Sequence, residues 1–160
     1  MVFYRFLSVV VNIVATFFAI ALLFTFFMLF ANPSLGLGLF LMFAVVAYAW
    51  FANKFYKNVI VKQTEFTKGN IDWLQVNAIA VFVFALLSVQ NGLIMLYKPE
   101  MLKSMLETLP PEVKNPAQMM RGVAIVLFVV GLVLMVHVSW TFIMLRDYKK
   151  SRAGGGTRVD

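Results

Sequence analysis

Three lengths without a single Asp, Glu, Lys or Arg dominate this chain: residues 6–53, 73–97 and 122–145. Each exceeds the ~20 residues that an α-helix needs to cross a hydrocarbon core of about 30 Å. The first is long enough for two crossings, and it is broken at Asn32-Pro33-Ser34. Proline removes a backbone donor there and pushes its predecessor out of the helical region, so a tight turn is expected. The composition agrees. The chain is 62% hydrophobic and only 13% charged, whereas soluble domains carry roughly a quarter of charged residues. An all-α integral membrane protein follows, with four transmembrane helices in an antiparallel bundle.

The expected spans are about 4–31, 34–57, 72–97 and 116–148, together a single transmembrane domain over 1–150, and 151–160 reads as a flexible basic tail. The apolar N-terminal run is too long for the 7–15-residue core of a cleaved leader and is read as the first span. Phe51, Phe55 and Val59 recur at helical spacing past the first lysines, which extends the second helix as an amphipathic segment. Gly69 is the expected stop, and Asn70 or Asp72 the expected N-cap of the third helix. Asn115-Pro116 is an N-cap and first-turn pair for the fourth. Between the last two spans, Met101, Leu102, Met105, Leu106 and Leu109 share one helical face between Pro99 and Pro110. A short amphipathic helix over 99–109, lying on the outer membrane surface, is expected.

Cations sort unevenly between the two ends of these spans. Ten of the fourteen fall with Arg5, the Lys54–Lys68 loop and the Arg146–Arg158 tail, and four fall in the 98–121 loop. The positive-inside rule then places both termini in the cytoplasm. The net charge of +7 is a topology signal of this kind; nucleic acid is not an expected partner, because no folded basic domain accompanies it. The chain has no cysteine and no Asn-x-Ser/Thr acceptor free of proline, which fits a bacterial inner (plasma) membrane.

Polar side chains inside apolar spans report which helix faces point inward, since lipid offers them no partner. Ser8, Asn12 and Thr16 recur every four residues on the first helix, with Ala15 and Ala19 beside them. On the third helix Ala78, Ala85, Ser88 and Gly92 share a face, with Asn77, Gln90 and Asn91 nearby, and Ser88-x-x-x-Gly92 fits the small-xxx-small packing pattern. Ala124, Gly131 and Ser139 line one flank of the fourth helix, while His137 and Thr141 share another. Asn12 lies roughly 10 Å inward of Arg5 and His137 roughly 13 Å inward of Arg146 at 1.5 Å per residue. The expectation is that neutral His137 bonds across the bundle to Asn12 or Thr16. Two short matches hint at parallel repeats: Asn12-x-x-Ala15-x-Phe17 returns at Asn77, displaced by 65 positions, and Gly38-Leu39-x-Leu41-Met42 returns at Gly131, displaced by 93.

Several chemistries lack their parts. Ser139 lies two residues from His137 and so about 200° away around one helix, too far for a serine–histidine dyad. A haem needs a second axial ligand beside the lone histidine, and the methionines suit packing better than ligation. Coupled transport ordinarily uses an intramembrane carboxylate, and none occurs within the spans. Met101, Met105, Met119 and Met120 suit Cu(I), but they are equally what an interfacial amphipathic helix requires. No catalytic residue, metal ligand or cofactor is therefore expected. The expected role is a non-enzymatic accessory or assembly subunit whose partners are the lipid bilayer and a second copy or another membrane protein. The alternative is a subunit of a small oligomeric channel or transporter, with Asn12, Asn77, Gln90, Asn91 and His137 along a polar pathway.

Overall fold

A computed structural model describes residues 2–30, 32–98 and 116–154. The amphipathic helix expected over 99–109 lies outside these residues. Four helices account for nearly all of what is described: α1 (Val2–Phe26), α2 (Gly36–Phe55), α3 (Lys68–Tyr97) and α4 (Pro116–Gly154). Together with their flanking turns, all four are long and apolar enough to cross a membrane. The chain is a multi-pass membrane protein. Its surface is covered with large apolar side chains, among them Phe17, Leu23, Phe40, Trp50 and Ile79. Lipid accepts such a surface at no cost, and the interior holds small residues such as Ala44, Ala49 and Ala85 and a few polar ones beside larger side chains such as Phe55, Leu74 and Leu134.

The proline break at Pro33 holds, though it is spread over two short 3-10 turns, Phe27–Phe30 and Pro33–Leu35, with α2 starting at Gly36. At its other end α2 runs on through a π-helical turn, Tyr56–Val61. The chain then reverses at Gln63, whose φ of 51° is left-handed, and Thr64 donates its backbone N–H to Asn58 O at 2.8 Å. The expected stop at Gly69 and cap at Asn70 or Asp72 are corrected. Thr67 is the N-cap: its hydroxyl accepts from the backbone of Asn70 and from the Asn70 side chain, at 3.5 and 2.8 Å, so Gly69 falls inside the first turn of α3. Helix α4 starts at Pro116 and continues to Gly154, past the span end expected near Tyr148.

Helices α3 and α4 make the broadest contact; α1 lies on α2, α2 on α3, and α1 touches α4 over a shorter length. The α3–α4 seam depends on two glycines. A Cβ at Gly131 would meet Ala85 O at 2.8 Å and the Val89 side chain at 2.8 Å. One at Gly92 would meet Ala124 O at 2.8 Å and Phe128 N at 2.9 Å. Backbone thus meets backbone, the close approach that small residues allow in lipid. Around this seam Ala78, Ala85, Ser88 and Ala124 are buried.

One end of the molecule is closed by aromatic rings. Phe55 stands edge-on to both Phe66 and Tyr148 at 5.4 and 5.9 Å. The Phe66 backbone N–H donates to the Tyr148 hydroxyl at 3.0 Å, and Glu65 pairs with Arg152. Phe66 is fully buried although it belongs to the α2–α3 connection. The connection is therefore folded down onto the helix ends and fastened to α4.

Candidate functional site

Just inside that aromatic closure, α1, α2 and α4 bring their polar side chains together. Tyr4 and Ser8 come from α1, Tyr48 from α2, and His137 and Thr141 from α4, the last two separated by one helical turn. His137 Nε2 lies 3.0 Å from Ser8 Oγ, and Nδ1 lies 2.8 Å from the Tyr48 hydroxyl. Tyr48 is also 2.9 Å from Thr141 Oγ1, which is itself 3.2 Å from the Tyr4 hydroxyl. Ser8 donates to Tyr4 O at 2.9 Å and Thr141 to His137 O at 2.8 Å. The Tyr4 ring stacks on the imidazole at 4.8 Å with 17° between the planes. Tyr4, His137 and Thr141 are each 1% exposed and Tyr48 is fully enclosed.

A proton count shows what this cluster can do. Its members engage in six contacts. A neutral imidazole and four hydroxyls bring one proton apiece, one short of a proton for every contact. Two orders satisfy the cluster equally. With hydrogen on Nε2, the ring donates to Ser8 and accepts from Tyr48, and Thr141 shares its proton. With hydrogen on Nδ1, the ring donates to Tyr48 and accepts from Ser8, and Ser8 shares instead. An imidazolium would fill all six contacts, but its recorded partners are hydroxyls and not carboxylates. A buried charge without an opposite charge costs several kcal/mol, against about 1 kcal/mol for one shared bond. The ring is neutral.

The expected partners of His137 are corrected. Asn12 and Thr16 do not reach it; Ser8, one and two turns earlier on the same stripe, does. Four residues advance a helix by 400°, so a stripe at that spacing rotates by about 40° per step. Ser8 faces α4. Asn12 and Thr16 have turned toward a shallow groove of about 200 Å³ between α1 and α2, which they line with Ala15, Ala49 and Asn53. Thr16 donates to its own backbone at Asn12 O, 2.8 Å away. The Asn12 amide makes no hydrogen bond among the described residues.

The remaining expected positions scatter. Thr141 is in the cluster. Asn77 is buried and donates to Trp73 O at 2.8 Å, on its own helix. Asn91 and Gln90 are exposed near the far end of α3, and Ser139 faces outward beside Trp140. Ser88, Gly92 and Gly131 all sit in the α3–α4 seam. Tyr4 and Tyr48 were not expected at the site. Tyr4 had a signal, since it extends the Ser8, Asn12, Thr16 stripe one step toward the N-terminus.

Among the described residues no group of three or more His, Cys, Asp and Glu is placed to hold a metal ion. The chain matches no protein-family model, no curated protein and no solved structure.

Proposed function

We propose that this chain works non-enzymatically as an accessory or assembly subunit of a membrane complex, through helix–helix contacts on its α1–α2 face. The observation that carries this reading is the Asn12 amide. It sits inside a membrane-length apolar helix, roughly 10 Å inward of Arg5, and lacks a hydrogen-bond partner among the described residues. In hydrocarbon an unpaired amide costs several kcal/mol, which a facing polar group recovers. Beside Val46, Trp50 and Asn53, the groove around it is lined by the small residues Ala15, Thr16, Ala19 and Ala49, and small residues let a second helix approach. An amide is donor and acceptor at once, so two copies related by a two-fold axis satisfy each other.

In this reading the helices alternate in direction and both termini face the cytoplasm, as the distribution of cations supports, and the membrane is a bacterial inner membrane, which the lack of cysteine and of a proline-free Asn-x-Ser/Thr acceptor fits. A channel or transporter role draws less support. His137 is closed within its own cluster, Asn77 bonds its own helix, and Gln90 and Asn91 lie apart from both.

The absence of cysteine makes the test direct. Ala19→Cys on the proposed face should form a disulfide-linked dimer in membranes, and Ile143→Cys on an outward face of α4 should not. Adding Asn12→Ala to Ala19→Cys should reduce the cross-linked fraction about tenfold, the scale of one interhelical hydrogen bond at the upper end of its measured range. Equal cross-linking at both positions, or none at Ala19→Cys together with no copurifying membrane protein, would overturn the proposal.

A further inference from the structure

At the Tyr148 end, on the side where α3 meets α4, Arg146, Lys149 and Lys150 surround a hollow of about 470 Å³ whose other walls are Gln75, Phe142 and Leu145. We infer that this hollow is a binding site for one anionic phospholipid, its phosphate held by the three cations and an acyl chain lying along Phe142. The inference stands independently of the subunit role. Three observations carry it. First, the cations have no acidic partner among the described residues: the one ion pair there joins Arg152 to Glu65, and neither Asp72 nor Asp147 lies within salt-bridge distance of Arg146, Lys149 or Lys150. Second, the site has a fixed member, because Lys149 donates to Gln75 Oε1 at 3.1 Å. That bond ties the α4 cation to α3 and leaves the ammonium two further donors. Third, the polarity of the walls is ordered along one face of α4. Phe142, Leu145, Arg146 and Lys149 follow at spacings of three, one and three, so apolar wall lies on the membrane side and cationic wall at the surface. A soluble anion has no use for the apolar half, whereas a lipid fills both. Cationic hollows between membrane helices at the interface are suited to such headgroups.

The site is tested with the full chain in detergent micelles carrying phosphatidylglycerol or phosphatidylcholine, the bound lipid being read by native mass spectrometry. The parent chain should retain one phosphatidylglycerol in preference to phosphatidylcholine, less so as ionic strength rises. The variant R146Q/K149Q/K150Q should bind it on the order of a hundredfold more weakly, since each interfacial cation contributes roughly a factor of five. The variant K57Q/K62Q/K68Q loses the same net charge elsewhere and should stay within about twofold of the parent. Gln75→Ala removes no charge and should weaken binding several-fold, which keeps the inference testable if the triple variant fails to fold. Equal losses in the two triple variants, no preference for phosphatidylglycerol, or a Gln75→Ala variant as tight as the parent would each overturn it. Displacement of the lipid by glycerol 3-phosphate at equal concentration would also overturn it, in favour of a soluble phosphate ester.

Discussion

Helix α4 is held on two sides by opposite means. Toward α3 it is held by what is missing: Gly92 and Gly131 have no side chain, and the two backbones close to a separation that any Cβ would violate. Toward α1 and α2 it is held by what has been added, two phenols, two aliphatic hydroxyls and an imidazole. Both are answers to one condition. Lipid removes the hydrophobic drive for apolar helices to associate, leaving shape and hydrogen bonding. Shape acts along the whole seam and does not tolerate intrusion. Hydrogen bonding acts at one level of the bundle and is directional, and each of its bonds is modest. Away from that level α1 parts from α4, and an apolar cleft of about 670 Å³ opens between them over Phe84 and Ser88.

The comparison breaks most readily on the glycine side. Gly131→Leu should cost 3 kcal/mol or more in a denaturing-detergent unfolding titration, above the about 1–3 kcal/mol usual for overpacking, since the Ala85 and Val89 backbone blocks the way together with the stiff, β-branched Val89 side chain. Gly92→Ala should cost about 1–3 kcal/mol in the same titration. If both glycine variants prove neutral, the α3–α4 seam is not the rigid half. On the polar side, Tyr48→Phe removes two contacts and leaves His137 one partner short, so about 1–2 kcal/mol is expected. A double-mutant cycle of Tyr48→Phe with Thr141→Val should show coupling, because both belong to one cluster; strict additivity would mean that the bonds act singly. The smallest effects sharpen the picture. Ser8→Ala should cost about 0.6 kcal/mol, and Thr16→Ala close to nothing, because its hydroxyl bonds only its own helix. Equal effects at Ser8 and Thr16 would show that the stripe acts as a whole rather than through the one residue turned toward α4.

What could be read from the residues followed from strong, local physics. Charge-free length marked the four spans, Pro33 and Pro116 marked turn and start, and the small residues Ala78, Ala85, Ser88, Gly92 and Gly131 marked a close-packed face. The partner of His137 was not legible, because two helices' depths specify a level and not an azimuth. A rotation of 40° per step is enough to exchange Asn12 for Ser8. The cap of α3 was missed for a different reason: Thr67, Asn70 and Asp72 are all competent caps, and the tie is broken by the Phe66 ring fixing the chain one residue before Thr67. The suspected repeat divides in the structure. At a displacement of 93, Ala44, Val45, Tyr48 and Ala52 pair with His137, Val138, Thr141 and Leu145, and all eight are buried. At a displacement of 65, buried Leu7 and Val11 pair with exposed Asp72 and Val76. Helices α2 and α4 thus bury matching positions at the level of His137 but not at the motif itself, where buried Leu39 pairs with exposed Leu132 and exposed Gly38 with buried Gly131, and α1 and α3 do not match.

The enclosure of His137 also has a consequence in time. Its ring and its partners Tyr4, Tyr48 and Thr141 are shut away from water, and Ser8 on Nε2 is half-buried, so the hydrogen on the imidazole trades with solvent deuterium by relay through the Ser8 hydroxyl or when α1, which carries Tyr4 and Ser8, lifts off the other helices. The chain has no second histidine. A single isotope label on one ring therefore clocks how often solvent reaches this one level of the bundle.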